Sequence, residues 1–302
     1  MRYFIVGLFL LHHLLAAKPI IDLRDSNMTS QHKMVYERPD FLLVTQGKYS
    51  DMMILSDFWL NRVDECRHVG YKVVIAYLME PRVIHPFIYE YIDQNVDKFD
   101  LVMTFDAALL EKYPEKCRFV HAVCGGDLFD HKIHPKTKMC SIMTGKNYTE
   151  GHKLRHLAYE TYRDYFDGYK GYDTTWARWR DPWINDYRFS VAIENSKQSH
   201  YFSEKIVQLF RAGTVPIYWG CPTIGQFFDM DGIIVFDTLE ELGEILKNLS
   251  VEDYEKRRAA ILHNFELAEK YPQNNLIEYP DRADALDVIW PYIKHYFENG
   301  SR

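Results

Sequence analysis

The chain has 302 residues, 47% of them hydrophobic, which supports a sizeable core and excludes global disorder. That length suits two ordinary domains better than one. A net charge of −7 excludes the broad basic footprint of nonspecific nucleic-acid binding, so no nucleic-acid partner is expected. A local basic pocket for one small anion remains compatible with it. Aromatics make up 15%, with 22 tyrosines and 6 tryptophans. This reads first as aromatic core packing, with a carbohydrate-stacking surface as the alternative. Cys66, Cys117, Cys124, Cys140 and Cys221 are scattered and form no CxxC or Cys/His metal spacing, so no metal site is expected.

The N-terminus joins Met1-Arg2 to an apolar run from Tyr3 to Leu11, then His12-His13 and the small residues Ala16-Ala17 before Lys18. This pattern is that of a secretory signal or short anchor, shorter than the roughly 20 residues of a comfortable membrane span. Residues 1–18 are therefore set apart, with membrane association through residues 3–17 and a secretory, Golgi-type lumen as the expected location. A buried first strand or helix is the alternative. Sequons at Asn27, Asn147 and Asn248 are compatible with that route.

Residues 19–40 are polar and aperiodic and are expected to form a tether. After them, residues 41–44, 72–78, 101–105 and 119–123 are short apolar runs suited to strands covered on both faces. Helical spacing fills residues 86–96, with Pro86 at its start, and 107–113. A second α/β series opens near residues 138–143. The helix expected over 150–166 carries an apolar stripe of Leu154, Leu157, Ala158, Thr161, Tyr162 and Tyr165, with Arg155 off that stripe. Strands follow at 188–193, 215–219 and 232–236, then a helix with capping-box spacing from Thr238, a charged helix over 251–271, and a segment at 283–297. The reading is α/β: two Rossmann-like domains facing a cleft, residues 19–137 and 138–302, hinged near 127–138.

In open α/β sheets, ligands sit beyond the carboxyl ends of the strands. That rule selects the loops after residues 78, 143, 193 and 219. The first carries Glu80, which could serve as a general base or simply be solvated. The second leads into the helix with Arg155. The third carries Glu194, Asn195 and Ser196, then Tyr201 and, at the mouth of a helix, Glu204-Lys205. A lysine in the first turn opposes the helix dipole, but backbone N–H groups and a cation converging there suit a phosphate. Arg155 and Lys205 together could neutralise a diphosphate without metal, or both could lie on solvated helix faces. Glu194 and Glu204 could both hold a ribose or sugar hydroxyl, or both could pair structurally with Lys205 or Arg188. Asp229-Met230-Asp231 has the DxD form of a metal–nucleotide site but reads as a turn, as does Gly125-Gly126-Asp127. No GxGxxG, Walker or GxSxG motif is present.

The segment from Tyr187 to Gly220 resembles the signature of glycosyltransferase family ten, the α-1,3/α-1,4-fucosyltransferases. It does so through Ala192-Ile193-Glu194-Asn195-Ser196, Tyr201-Phe202-Ser203-Glu204-Lys205 and Val215-Pro216-Ile217-Tyr218-Trp219-Gly220. Ile193 replaces the family's phenylalanine, and Met79-Glu80-Pro81 lacks the serine of its Glu-Ser-Pro loop, which leaves Glu90 as an alternative carboxylate. The resemblance covers most of residues 72–236. It implies a GT-B architecture and metal-independent, inverting transfer of fucose from GDP-fucose to a glycan acceptor, with no cofactor beyond the nucleotide sugar. It also implies that Arg155 and Lys205 hold the diphosphate, that Glu204, Tyr201 and Asn195 position nucleotide and sugar, and that Glu80 takes the acceptor proton. Another nucleotide sugar, such as UDP-xylose, and a non-catalytic secreted sugar-binding protein are the rival readings.

Overall fold

The computed structural model describes residues 19–24, 35–37, 41–45, 50–122, 132–145, 148–171, 184–271, 290–291 and 294–295. The expected signal or anchor, the sequons at Asn27 and Asn147, the Gly125-Gly126-Asp127 turn and most of residues 283–297 lie outside them. Among the described residues, no helix is long and apolar enough to cross a membrane.

Two sheets form. The first contains β1 (Ile20–Arg24), β2 (Val35–Glu37), β3 (Leu42–Thr45), β4 (Met52–Ser56), β5 (Val73–Tyr77), β6 (Leu101–Thr104) and β7 (Cys117–Phe119). Their order is β2-β3-β1-β4-β5-β6-β7, parallel except where β2 meets β3. The second contains β8 (Lys138–Met143), β9 (Gly168–Lys170), β10 (Tyr187–Ile193), β11 (Val215–Trp219) and β12 (Ile234–Val235). It is parallel throughout, in the order β12-β11-β10-β8-β9.

Period-2 alternation places successive side chains on opposite faces of each sheet, and both faces are buried. Ile54, Ile75 and Met103 pack into one core of the first domain, while Met53, Leu55, Val74 and Val102 pack into the other. In the second domain Phe189, Val191 and Ile217 face one cluster, and Ala192 and Tyr218 the other. That two-sided cover is why these strands read as continuous apolar runs. Trp290 stacks on Phe41 at 5.0 Å, so the end of the chain touches the core of the first sheet.

Three expectations need correction. Residues 20–24, placed in a polar tether, form β1 at the heart of the first sheet, between β3 and β4. Ile21 and Leu23 are fully buried, and the buried Asp22 carboxylate accepts from Ser50 N (3.1 Å) and the Tyr71 hydroxyl (3.0 Å). The strand expected at 119–123 lies at 117–119. The single helix expected over 251–271 is divided into Val251–Lys256, Arg258–Leu267 and a short turn at Ala268–Lys270. The capping box at Thr238 is present as read, opening Leu239–Asn248. Cys66, Cys117, Cys140 and Cys221 are buried free thiols.

Aromatic residues carry the contact between the two sheets. Phe105 packs on Tyr201 (5.3 Å), Phe119 on Phe227 (5.9 Å), and His121 lies parallel to Phe202 (6.3 Å) and edge-on to Tyr271 (5.1 Å). The connecting strand of chain is tied to the second domain, because Lys136 Nζ donates to Asn185 O, Ala212 O and Thr214 Oγ1 at 2.7–2.8 Å.

Burial lowers the His121 pKa to about 4. An unfolded histidine binds its proton near pH 6.5, so in this range the unfolded state holds more protons than the folded one. The neutral ring is fully accommodated above about pH 6.5, and stability falls as pH drops from there toward 4. A His121→Phe variant should therefore be about 1–3 kcal/mol less sensitive to the change from pH 7.5 to pH 5, measured by urea denaturation at both.

Candidate active site

The site is organised at the carboxyl end of β10. Glu194 follows that strand directly, its N–H donating to Trp219 O (2.9 Å) to extend the ladder with β11 by one residue. Its side chain is completely buried, with Ser203 N donating to Oε1 (2.9 Å) and Ser203 Oγ to Oε2 (2.7 Å). Ser203 also caps the helix Glu204–Arg211, its Oγ accepting from Lys205 N (3.4 Å) and Lys205 Nζ (3.0 Å). The Lys205 ammonium lies 2.9 Å from Glu204 Oε1 and 3.8 Å from Glu194 Oε2.

These contacts set the charges. Burial works against the Lys205 cation, but the adjoining Glu204 and Glu194 outweigh it and hold its pKa above the ordinary lysine value. Burial likewise opposes the Glu204 carboxylate, and Lys205 overrides it, so the Glu204 pKa is lowered. For Glu194 burial prevails over Lys205 and the Ser203 bonds, and its pKa is raised.

Arg155 enters from the helix Glu150–Thr161, whose first turn is capped by Thr149. Its Nε donates to Ile193 O (2.7 Å) and its Nη2 to Asn195 Oδ1 (3.0 Å), and only 3% of the residue is exposed. The face this helix buries is Gly151, His152, Arg155 and Ala158, while Leu157 and Tyr165 are exposed. The expected stripe, with Arg155 off it, is thus rotated. An arginine satisfies the free carbonyl at a strand end, which an apolar side chain could not do. The helix itself stops at Thr161 rather than at residue 166, continuing as a short turn over Arg163–Tyr165.

Two glycines permit the close approach. A Cβ on Gly151 would stand 1.7 Å from Glu194 O, and one on Gly220 would stand 2.5 Å from Glu194 Cγ. Around the same helix start, the Tyr148 ring stacks on His152 (4.6 Å) and His156 bonds Gly145 O (2.6 Å). Burial, then Arg155 and Lys205, lower the His152 pKa to about 4, so this imidazole is neutral near pH 7.

From the first domain comes Glu80, in the loop after β5. Burial is the main cause that raises its pKa to about 7, opposed by Lys205 and assisted by Glu204 and Glu194. Glu80 is therefore within electrostatic reach of Lys205, Glu204 and Glu194. Its carbonyl accepts from the Tyr89 hydroxyl (2.7 Å). Arg82 makes a two-pronged contact with Asp106 (2.7 and 2.9 Å), and Gln198 Nε2 of the second domain donates to the same carboxylate (2.9 Å). Asp106 thus ties the Glu80 loop to the loop between Glu194 and Ser203.

The sequence-predicted residues are accordingly gathered in one place, but not all face outward. Arg155, Asn195, Glu204 and Lys205 converge, and Ser196 Oγ is buried with no partner among the described residues. Glu194 is not positioned to hold a sugar hydroxyl, because it has no exposed surface and both oxygens are committed to Ser203. Tyr201, only 2% exposed, wedges against Phe105 at the domain contact. Glu90 lies on the exposed side of the helix Pro86–Asn95. Asp229-Met230-Asp231 is a turn as read, with Asp229 Oδ1 accepting from Asp231 N (3.0 Å). Ser203 and His152 were not singled out beforehand. A serine directly before Glu-Lys is a helix-cap signal that could have marked Ser203.

Gly151→Ala should lower stability by about 2–3 kcal/mol, because backbone atoms rather than flexible side-chain ends stand in the way. Gly225→Ala, whose nearest neighbours are Met230 side-chain atoms at 3.1 and 3.3 Å, is the control and should change it by under about 1 kcal/mol. Chemical denaturation of both variants checks this.

Residues 139–273 match the family model described as glycosyltransferase family 10 (fucosyltransferase) C-term. The match takes in Arg155, Glu194, Asn195, Ser196, Tyr201, Glu204 and Lys205, and does not reach Glu80. The chain is 32% identical over 50 residues to an α-(1,3)-fucosyltransferase FucT of Helicobacter pylori, covering 17% of this chain and 10% of that protein. It is 29% identical over 101 residues to an α-(1,4)-fucosyltransferase of Arabidopsis thaliana, covering 30% and 25%. Over 74 residues it is 32% identical to GDP-fucose protein O-fucosyltransferase 3 of Mus musculus, covering 23% and 15%. The matched segments thus span a quarter or less of these curated relatives. Among solved structures, an α1,3-fucosyltransferase superposes with a TM-score of 0.50 at 12% identity, covering 95% of this chain and 92% of that one. The OtsA apo structure superposes with a TM-score of 0.61 at 8% identity, covering 94% of each chain. At such identities the likeness is one of fold, the two-sheet GT-B arrangement. Through residues 139–273, the chain is similar to glycosyltransferase family 10, the fucosyltransferase family.

Proposed function

We propose that the protein is an inverting glycosyltransferase that moves L-fucose from GDP-fucose to a hydroxyl of a glycan acceptor, without a metal ion. The observation that carries this reading is the convergence of Arg155, Lys205 and Glu80 across the two domains, the first two lying within the family-ten match. Relatives named as α-(1,3)-, α-(1,4)- and GDP-fucose-dependent protein fucosyltransferases support the donor.

In this reading the acceptor oxygen attacks the anomeric carbon of the fucosyl group while the bond to the diphosphate oxygen breaks, and GDP departs. Glu80 accepts the proton released from the acceptor hydroxyl. A carboxyl whose pKa stands near 7 is well matched to that task at neutral pH. Arg155 and Lys205 stabilise charge developing on the departing diphosphate, the electrostatic contribution that tends to dominate such catalysis. Arg155 has Nη1 left for a ligand, since only its Nε and Nη2 are hydrogen-bonded among the described residues. Asn195 and Ser196 line the approach, and Glu204 offers a carboxylate to a sugar or ribose hydroxyl. Glu194 and Tyr201 hold these groups in place.

The test is turnover across a panel of GDP-, UDP- and CMP-sugars, with and without EDTA. GDP-fucose should be consumed at an unchanged rate in EDTA, whereas strict metal dependence or preference for a UDP-sugar would overturn this reading. Glu80→Gln should lower kcat by about 10²–10⁴-fold while GDP binding persists.

The wild-type rate should rise with pH up to a plateau above about 7, as Glu80 loses its proton. The stability sign runs the other way. A carboxyl with a raised folded pKa costs stability as pH climbs from its unfolded value through about 7. Glu80→Gln should thus be more stable than wild type at pH 8, by roughly 2 kcal/mol after allowance for the group's partial exposure, and equal to it near pH 4.5. Thermal melts at both values check the crossover.

A further inference from the structure

Two phenylalanines stand in solvent beside the loop that carries Glu80. Phe58 is 48% exposed and Phe87 51% exposed. Their rings are stacked, 5.6 Å between centroids and 26° between planes. The buried His85 lies edge-on to Phe58 at 4.1 Å and 6.2 Å from Phe87. Single exposed apolar residues are ordinary on a protein surface. A stacked pair held from behind by a third ring is a different matter.

The way the pair is held links it to the candidate base. Asp57, just after β4, has a φ of +38°, a left-handed conformation that non-glycine residues rarely adopt and that concentrates at functional sites. Its buried carboxylate accepts from Met79 N (3.0 Å), the residue before Glu80. The next residue is Phe58. On the other side, Ile84 N and His85 N both donate to Pro81 O (2.9 and 3.2 Å), folding the chain back so that His85 meets Phe58. Tyr89, two residues after Phe87, fixes the Glu80 carbonyl. The ring pair and the backbone that carries Glu80 are therefore parts of one braced unit at the carboxyl ends of β4 and β5.

We propose that Phe58 and Phe87 form an acceptor subsite, a shelf against which the apolar face of a pyranose ring lies with a hydroxyl directed to Glu80. This rests on the glycosyl-transfer reading. A sugar is the occupant that fits, because it offers one C–H face to an aromatic plane and hydroxyls to the polar groups at its edge. Two half-exposed rings flanked by the exposed Arg62 and Glu90 offer far less than the roughly 800 Å² per partner of a stable protein interface.

Saturation-transfer NMR on the full chain with methyl β-pyranosides of galactose, N-acetylglucosamine, mannose and xylose, with and without GDP, tests this. At least one pyranoside should bind with saturation strongest on the C–H protons of one ring face. Phe58→Ala and Phe87→Ala should each weaken that binding tenfold or more, Phe58→Trp should retain it, and GDP affinity by calorimetry should stay within twofold. Equal binding to the alanine variants, no pyranoside binding to wild type, or a wild-type dimer that dissolves in Phe58→Ala would each overturn the shelf. Because pyranosides are also tested without nucleotide, a failure to bind GDP counts against the fucosyl-transfer reading and leaves the shelf judged on its own.

Discussion

A buried carboxylate at a strand end is the constraint on which the site depends. Glu194 has no access to water, so its charge must be met inside the protein. Ser203 supplies two hydrogen bonds and Lys205 a cation, and by doing so they fix where the helix Glu204–Arg211 begins. The same residue's main chain dictates its neighbours. Gly151 lets the start of the helix Glu150–Thr161 approach Glu194 O, and Gly220 leaves room for the side chain. Removing one partner of such a buried cluster strands the others and typically costs about 3–5 kcal/mol. The geometry around Glu194 and Lys205 is thus over-determined by packing rather than set by flexible surface side chains.

The second constraint is the contact between domains. A base on one sheet is useful to a leaving group on the other only if the sheets are held in register. The ring contacts Phe105–Tyr201, Phe119–Phe227 and His121–Phe202 act mainly through apolar burial, which is less directional than a hydrogen bond and tolerates small sliding motions. The Gln198–Asp106 hydrogen bond is directional, and its acceptor is the carboxylate that already grips Arg82, two residues beyond Glu80. Apolar contact supplies the adhesion, and this one polar bridge sets how the Glu80 loop meets the loop from Glu194 to Ser203.

The candidate anion site was legible because anion chemistry writes itself into contiguous sequence. A buried strand ending in Glu194-Asn195-Ser196, followed by Glu204-Lys205 at a helix mouth, demands particular residue types at fixed spacing. The rule that ligands lie beyond parallel strand ends likewise picked out Glu80. What failed to show were features that depend on partners far along the chain. The apolar alternation of β1 spans only five residues and was lost in the polar average of residues 19–40. A solvated helix face stayed open as the alternative for Arg155 because the carbonyl it satisfies, that of Ile193, lies 38 residues away. Glu194 and Glu204 are equivalent in type, and only burial separates the fully buried brace from the partly exposed carboxylate. The Phe58–Phe87 shelf was invisible because nothing in sequence tells an outward phenylalanine from a core one, and the turn that projects Phe58 is made by Asp57 rather than by glycine.

Charge balance refines what the two cations can contribute. Lys205 already faces Glu204 and Glu194, so a diphosphate does not meet a bare positive patch. Two unit charges about 4 Å apart interact by roughly 4 kcal/mol at an effective dielectric constant near 20, so a phosphate that displaces Glu204 from Lys205 gains little net Coulomb energy in the ground state. Ground-state affinity then falls to Arg155 Nη1, to the amino ends of the two helices and to contacts with the nucleoside. In the proposed transfer, charge accumulates on the departing diphosphate as the bond to the sugar breaks, and the same ammonium would interact with it more strongly than with the intact donor. Interactions that strengthen only as the reaction proceeds are those that raise kcat rather than lower KM. A cation held by carboxylates is therefore not a weakened version of a free one. It moderates the grip on the donor while keeping its response to the charge that develops.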